Sequence, residues 1–292
     1  MFIIDIPFLN LDAMYSLDFT FGWKKLRDGK YIIPIRDKAF KVEQKKDRFF
    51  INCSQELFYD YVFPYFGVNI DYSEINVKIS KLDDYLKLCA SVSSGIRLLR
   101  KSLYEVLLTF VLSHYERNGL NEANLLLRER CGVKHKNSMN EAGIVIWYEF
   151  PTASEILENH CRLTSIREET KTILMKACND ISEGWFDECF LSDMNENELK
   201  AYLTDFEYIN DTIADYMILF GLGKSVFPYD KKIEELIQIK YNCDYETFIE
   251  WTFEDNKLYG IAQQYILYNL INENKRNTNI LTLWKRNKNG IN

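Results

Sequence analysis

Apolar positions change their spacing along the chain. From Met1 to about Tyr72 they come in short runs of β-branched and aromatic side chains, separated by turn signals such as Asp28-Gly29. Such runs are typical of strands in an antiparallel sheet. The predicted strands contain Phe2-Ile3-Ile4, Phe19-Thr20-Phe21, Tyr31-Ile32-Ile33-Pro34-Ile35, Ala39-Phe40-Lys41-Val42 and Phe49-Phe50-Ile51-Asn52.

Beyond residue 90 the same pattern favours helices. Apolar residues recur at helical intervals over residues 103–112, 120–130, 164–181 and 258–268. We therefore predict an α+β fold. Residues 1–90 form an antiparallel β subdomain with a linking helix, and residues 91–292 form an all-helical domain with a basic C-terminal tail.

The stretch from Phe206 to Leu236 combines several boundary signals. A turn precedes a helix that begins near Asp211, and Gly221-Leu222-Gly223 breaks that helix. Phe227-Pro228-Tyr229-Asp230 then leads into a second helix, with Asp230 in the position of an N-cap.

Composition indicates a globular chain of ordinary polarity, with 47% apolar and 27% charged residues. No apolar run reaches the ~18 residues that a membrane span needs, and the start lacks the basic region of a secretory signal. We expect a monomeric cytoplasmic protein without membrane contact. Seven scattered cysteines without a C-x-x-C and three unpaired histidines predict reduced thiols, no metal site and no cofactor.

Charge is distributed unevenly around a net charge of −7. Residues 24–48 carry +6 and residues 271–292 carry +4, so the remainder carries −17. This uneven charge distribution suits a protein that binds a polyanion through one face only. Two solvated basic stretches on an acidic protein are the alternative interpretation.

The turn, helix and Pro-x-Asp order of residues 206–230 resembles the helix-hairpin-helix segment of base-excision DNA glycosylases, most closely the 8-oxoguanine DNA glycosylases. Two further stretches are similar to that family, Ser94-Gly95-Ile96-Arg97-Leu98-Leu99-Arg100 and residues 258–268. The resemblance runs over about residues 12–272 and implies an N-terminal antiparallel sheet followed by a helix-hairpin-helix glycosylase domain. The two arginines of the first stretch are also consistent with structural braces between the subdomains.

In that family a Gly-x-Gly hairpin grips a DNA phosphate, a lysine attacks the sugar, and an Asp after the proline assists it. The hairpin glycines correspond here to Tyr208 and Asn210, the lysine to Thr212, and the Asp to Asp230. Thr212 cannot form a Schiff base because an imine requires an amine, so we expect no lysine-dependent strand cleavage. Asp230 is the candidate catalytic residue, since a carboxylate can stabilise an oxocarbenium-like sugar or activate water. A plain helix N-cap is the alternative.

The hairpin itself is acidic. No Lys or Arg occurs over residues 201–223. Its carboxylates are Asp205, Glu207, Asp211 and Asp215. Close carboxylates oppose phosphate binding at a helix N-terminus, although the resemblance implies DNA contacts at Asn210 and Thr212.

The resemblance also implies a pocket for a flipped base. Gln263 corresponds to the family's glutamine that reads the Watson–Crick edge, and Tyr216 and Leu267 correspond to wall residues. Asp18 stands where the family has the glycine whose carbonyl contacts the oxidised base. Since Tyr216 takes the position of a small residue, we expect it to fill part of the pocket.

Residues 113–119 stand where the family inserts an Asn-rich loop into the duplex. Tyr115 is the candidate wedge by stacking, and Arg117 and Asn118 are candidates for hydrogen bonds to a base edge. The family's arginine that reads the opposite cytosine has no counterpart near residues 168–171.

Three functional hypotheses follow. The first is a divergent, monofunctional DNA glycosylase of base-excision repair that flips a damaged or modified purine out of double-stranded DNA and removes it with Asp230. The second is a non-catalytic relative that binds DNA or a modified base. The third is a protein-interaction module with a protein partner, which the acidic hairpin favours.

Overall fold

The computed structural model describes residues 1–138 and 144–273. The N-terminal part is built on a five-stranded antiparallel sheet of order β1-β5-β4-β3-β2. Its strands are β1 (Phe2–Asp5), β2 (Lys24–Lys25), β3 (Tyr31–Ile35), β4 (Lys38–Lys45) and β5 (Arg48–Ile51). Strand β4 lies at the centre because its alternating apolar residues, among them Phe40 and Val42, are buried against the helices.

The run Phe19-Thr20-Phe21 does not form the strand that its pattern predicts. Phe21 and Gly22 have positive φ values of 38° and 71°, so the backbone turns here. The turn sends the Phe19 ring against Tyr216 and the Phe21 ring against Phe110. Tertiary packing therefore determines this segment, because a three-residue apolar run carries no periodicity of its own.

Helices account for most of the remaining chain. The first six are α1 (Leu11–Ser16), α2 (Gln55–Leu57, continued by a π-helical turn Phe58–Val62 and by Phe63–Tyr65), α3 (Tyr72–Ile79), α4 (Asp84–Val92), α5 (Leu103–Glu116) and α6 (Leu120–Cys131). They are followed by α7 (Ala153–Asn159), α8 (Glu168–Ser182), α9 (Glu188–Ser192), α10 (Glu196–Thr204) and α11 (Asp211–Tyr216, continued by a π-helical turn Met217–Leu222). The last three are α12 (Lys231–Tyr241), α13 (Tyr245–Thr252) and α14 (259–273).

A second, two-stranded sheet lies between α6 and α7 and was not predicted. Strand β6 (Lys134–Ser138) pairs antiparallel with β7 (Ile144–Tyr148). The polar sequence Lys-His-Lys-Asn-Ser lacks the apolar alternation of a half-buried strand, so the sequence pattern gave no signal for it.

Two hydrophobic cores divide the molecule. The first joins buried residues of the N-terminal part, residues 6–99, to residues 227–267 near the C-terminus. The second is formed by the helices between residues 103 and 220, with Phe21 reaching in from the N-terminal part. The first core therefore combines segments from both ends of the chain. The domain boundary expected near residue 90 stays a prediction.

Arg97 joins the linker before α5 to the N-terminal part. Its guanidinium donates hydrogen bonds to the backbone carbonyls of Pro7, Phe8, Phe66 and Gly67, at 2.7–3.1 Å. The side chain is buried and also stacks over the ring of Tyr72. These contacts account for Arg97 as a structural brace.

Within residues 1–138 and 144–273, every helix is too short or too polar to cross a lipid bilayer.

Candidate functional site

The hairpin between α10 and α11 lies where the sequence predicts it, with Tyr208 and Ile209 buried and Asn210 exposed. Tyr208 is buried, and its hydroxyl donates to Asp180 Oδ2 at 2.6 Å. Asn210 caps α11, since its Oδ1 accepts from the backbone N–H of Ile213 at 2.9 Å. Thr212 follows in the first turn, half-buried. The amide oxygen of Asn210 is thus already engaged by the helix that it caps.

Asp215 is the most buried carboxylate of this segment. Burial raises the pKa of Asp215, and the positive charge of the neighbouring Lys200 partly offsets this rise. Lys200 Nζ lies 3.0 Å from Asp215 Oδ1. This pair ties α10 to α11 and holds the two helices of the motif together.

Asp230 is the N-cap of α12. Its Oδ1 accepts from the backbone N–H groups of Lys232 and Ile233, at 2.8 and 3.1 Å. The other carboxylate oxygen, Oδ2, has no hydrogen-bond partner among the residues that the structure describes. The residue is half-buried. Capping therefore uses one oxygen of Asp230 and leaves the second for chemistry.

Gln263 on α14 is fully buried and its amide is saturated. Its Nε2 donates to the hydroxyl of Tyr216 at 3.2 Å and to the carbonyl of Pro228 at 3.4 Å. Its Oε1 accepts from Nε2 of Gln264 at 2.7 Å. An amide that is engaged at both ends has no free edge for a base.

Tyr216 closes the space in front of Gln263. Its ring stacks on Phe110 with centroids 4.7 Å apart and on Phe220 at 5.8 Å, and Phe19 lies 5.2 Å away. Burial raises the pKa of Tyr216, while the hydrogen bond from Gln263 lowers it. The phenol is therefore neutral, and the four rings form one aromatic stack.

Asp18 and Leu267 lie outside this stack. The carboxylate of Asp18 caps α6, accepting from the backbone N–H groups of Leu120 at 2.6 Å and Asn121 at 3.1 Å. Leu267 is buried in the first hydrophobic core, whereas Tyr216 belongs to the second. The structure thus brings Gln263, Tyr216 and the segment 228–230 together and places Asp18 at a helix end.

The candidate wedge lies at the end of α5. Arg117 is exposed and ends this helix with a φ of 58°. The carbonyl of Asn118 accepts from the Ser113 hydroxyl at 2.5 Å, and Arg167 donates to the carbonyl of Tyr115. The loop is therefore held in place by its own contacts and by α8, with Arg117 projecting to solvent.

Salt bridges involve several basic residues of the stretch 24–48, but only two of the acids, Asp5 and Asp12, lie outside the stretch and reduce its net charge of +6. The bridged pairs are Lys25–Asp12, Lys30–Asp28, Lys38–Asp37, Lys45–Glu43 and Arg48–Asp5. The basic tail, with Lys275, Arg276 and residues 284–288, lies outside the described residues.

Sequence reasoning missed Lys101, a buried amine next to the site. Its Nζ lies 4.3 Å from the centroid of the Phe21 ring and donates to the Tyr65 hydroxyl at 3.4 Å. Burial lowers the pKa of Lys101 to about 7, against the attraction of Glu105. Sequence reasoning also missed Phe19, Phe110 and Phe220.

This architecture is similar to the fold of solved DNA glycosylases. The 8-oxoguanine glycosylase/lyase of Clostridium acetobutylicum, in its apo form, superposes with a TM-score of 0.78 at 24% identity, covering 91% of this chain and 95% of that one. The same enzyme in complex with double-stranded DNA containing cytosine opposite 8-oxoguanine gives 0.78 at 24% identity, covering 92% and 93%. The 3-methyladenine DNA glycosylase of Archaeoglobus fulgidus gives 0.69 at 15% identity, covering 92% and 98%. At these identities the likeness establishes the fold.

A family model matches the N-terminal part. Residues 4–107 match the family model described as 8-oxoguanine DNA glycosylase, N-terminal domain. A search of curated proteins gave no match. The N-terminal part thus matches the N-terminal domain model of the 8-oxoguanine DNA glycosylases, and the chain shares the fold of the solved structures of such enzymes.

Proposed function

We propose that the protein is a DNA-binding member of the base-excision repair glycosylase class that engages duplex DNA without excising a base. The observation that carries this proposal is the hydrogen bond between Gln263 and Tyr216 inside a closed aromatic stack.

Base excision needs an empty pocket, because the target base must leave the helix and be read along its Watson–Crick edge. Here the Tyr216 phenol occupies the position in front of Gln263, and the Gln263 amide is saturated. Moving Tyr216 would break its stacking on Phe110 and Phe220 and leave one N–H of the buried Gln263 amide without its acceptor. An unsatisfied buried amide costs about 1–3 kcal/mol, so the closed state is favoured.

The chemistry at the hairpin supports the same proposal. Thr212, at the position that corresponds to the family's lysine, offers a hydroxyl and no amine, so it cannot form the imine of a lyase. On this proposal, the exposed Arg117 and the loop around it contact the DNA.

The test introduces a lysine at position 212 and removes the Tyr216 ring, first separately and then together. The native chain and the variants Thr212→Lys, Tyr216→Ala and Thr212→Lys/Tyr216→Ala are incubated with a duplex that contains 8-oxoguanine opposite cytosine. Borohydride trapping reports imine formation, and gel retention reports binding. We expect retention by the native chain, no trapping by it or by either single variant, and trapping by the double variant.

Two results would overturn the proposal. Trapping by the native chain would reveal another amine nucleophile. Trapping by Thr212→Lys alone would show that Tyr216 does not close the pocket. Phe186→Ala, an aromatic truncation in the second core away from the Tyr216 stack, is the control for a general effect of core loosening.

A second candidate function is monofunctional hydrolysis of the N-glycosidic bond of a modified purine. The free Oδ2 of the half-buried Asp230 favours it, since one oxygen remains to stabilise a sugar cation or to orient water. The segment of Asp230 also touches the stack, because the Pro228 carbonyl accepts from Gln263.

Asp230→Asn separates this candidate from the first. Its matched control is Asp244→Asn, since Asp244 caps the next helix in the same way but lies exposed. On the second candidate, abasic sites form with the native chain and with Asp244→Asn and disappear with Asp230→Asn. Absence of abasic sites with the native chain on duplexes carrying oxidised and alkylated purines excludes it.

A further inference from the structure

One segment of the helical domain is strongly acidic, and several of its acids line a surface cleft. Residues 180–211 contain ten Asp and Glu residues and a single Lys. The net charge of −9 over this segment exceeds the −7 of the whole chain. Such a concentration of carboxylates repels a nucleic-acid backbone and attracts cationic groups.

The cleft has a volume of about 430 Å³. Its lining residues are Lys176, Asp180, Trp185, Tyr202, Asp205, Phe206 and Glu207. Three aromatic rings and three carboxylates thus surround one space, together with one lysine whose Nζ is paired with Glu207 Oε1 at 2.6 Å.

Trp185 is the exposed platform of the cleft. Half of its surface, 51%, faces solvent although it is among the largest apolar side chains. Its indole N–H donates to Glu183 at 3.0 Å, and its carbonyl accepts from the Tyr202 hydroxyl at 2.9 Å. These bonds hold Trp185 beside Tyr202, whose ring meets Phe190 edge-on at 5.9 Å, and Phe190 is itself 53% exposed.

The carboxylates of the cleft differ in what they already bind. Asp180 accepts from Tyr208, and Glu207 pairs with Lys176. Asp205 has no side-chain hydrogen bond or ion pair to any residue in the described parts of the chain. The cleft is therefore lined by both a half-exposed tryptophan and an uncommitted carboxylate.

We propose that this cleft binds a lysine or arginine side chain from a basic segment of a protein partner. A cation over a tryptophan face gains from the ring quadrupole, and a carboxylate beside it adds a charge-assisted hydrogen bond. The surrounding carboxylates steer a basic segment toward the cleft. None of the residues involved belongs to the Tyr216 stack, so this site operates whether or not a base is excised.

The test uses the full chain and a short fluorescein-labelled peptide of alternating lysine and glycine. Anisotropy at moderate salt gives the dissociation constant. Trp185→Ala is expected to weaken binding about three- to tenfold, and Asp205→Asn about two- to fivefold. The matched controls are Trp251→Ala, a more exposed tryptophan on α13, and Glu250→Gln, an exposed acid on the same helix. Both controls are expected to bind like the native chain.

Three outcomes would overturn the proposal. Equal losses in the Trp185 and Trp251 variants, or in the Asp205 and Glu250 variants, would show that only total charge attracts the peptide. Binding of a peptide with the sequence of residues 274–292, with no binding of the lysine-glycine peptide, would assign the cleft to the chain's own tail. Weakened duplex DNA retention in Trp185→Ala would assign it to nucleic acid.

Discussion

At the scale of single residues, four aromatic rings pack together beside Gln263. Tyr216 alone would leave room beside its ring, but Phe19, Phe110 and Phe220 complete the stack. The resemblance predicted that Tyr216 fills part of the pocket, because it stands at the position of a small residue. It could not show the stack, because these contacts join segments almost 200 residues apart in sequence, and no local pattern records which rings will meet.

Lys101 gives a prediction at this scale. Its pKa is lowered to about 7 by burial, whereas an unfolded chain keeps a lysine pKa near 10.4. Between these values the unfolded state binds a proton that the folded state lacks, so the free energy of unfolding rises with pH. Below pH 7 the Lys101 amine is protonated in both states. The full cost of burying its charge then lowers the free energy of unfolding.

We therefore expect Lys101→Met to be more stable than the native chain near pH 6. The advantage should shrink by on the order of 1 kcal/mol per pH unit as pH rises toward 10. Urea unfolding at a series of pH values measures the difference, with Lys87→Met, an exposed lysine, as control. Parallel stability curves for native chain and Lys101→Met would contradict the lowered pKa.

At the scale of elements, a buried ion pair joins α5 to α6. Arg128 donates to Glu105 at 2.6 Å and to the Tyr148 carbonyl at 3.0 Å, while Asn124 bridges Glu105 and Thr109. The side chains of Arg128 and Glu105 are only 3% and 12% exposed. Removing one partner of such a pair leaves an uncompensated charge, which costs more than the pair contributes.

Arg128→Met should therefore lower the free energy of unfolding by about 3–5 kcal/mol. Arg130→Met, an exposed arginine on the same helix, should change it by less than about 0.5 kcal/mol. Combining Arg128→Met with Glu105→Gln should recover part of the loss, because the stranded charge is gone. Chemical denaturation of the four proteins measures this, and equal losses in the two single variants would refute the buried-pair argument.

The sequence predicted elements well where periodicity was strong and poorly where it was short. The helices around Leu103, Leu120 and Asp211 begin where spacing and caps indicate. The strand predicted at Phe19-Thr20-Phe21 was wrong, because the backbone turns at Phe21. This turn packs the rings of Phe19 and Phe21 against the second core. The role of the Asp18 carboxylate as a cap of α6 was invisible as well, because cap and helix are about 100 residues apart.

At the scale of the molecule, one arginine fastens the N-terminal part to the start of the helical domain. Arg97 satisfies four backbone carbonyls, which no other side chain contacts in the described structure. The resemblance left open whether the two arginines of this stretch are braces. The structure separates them: Arg100 makes no side-chain hydrogen bond within residues 1–138 and 144–273, and its guanidinium packs on Gly223.

Arg97→Met should lower the free energy of unfolding by about 3 kcal/mol or more, since several buried carbonyls lose their donor. Arg100→Met removes the same charge three residues away and should cost about 1 kcal/mol or less. Thermal or urea unfolding of both variants measures the contrast. Similar losses would mean that charge, and not carbonyl satisfaction, accounts for the role of Arg97.

The first hydrophobic core combines residues that are synthesised early with residues that are synthesised late. Its buried residues come from 6–99 and again from 227–267, whereas the second core is contained almost entirely within 103–220. During translation the helices of the second core can pack before the C-terminal residues of the first core have been synthesised. The part synthesised first is thus the last to be completed, and a nascent chain stalled before residue 227 exposes apolar residues of the first core to chaperones.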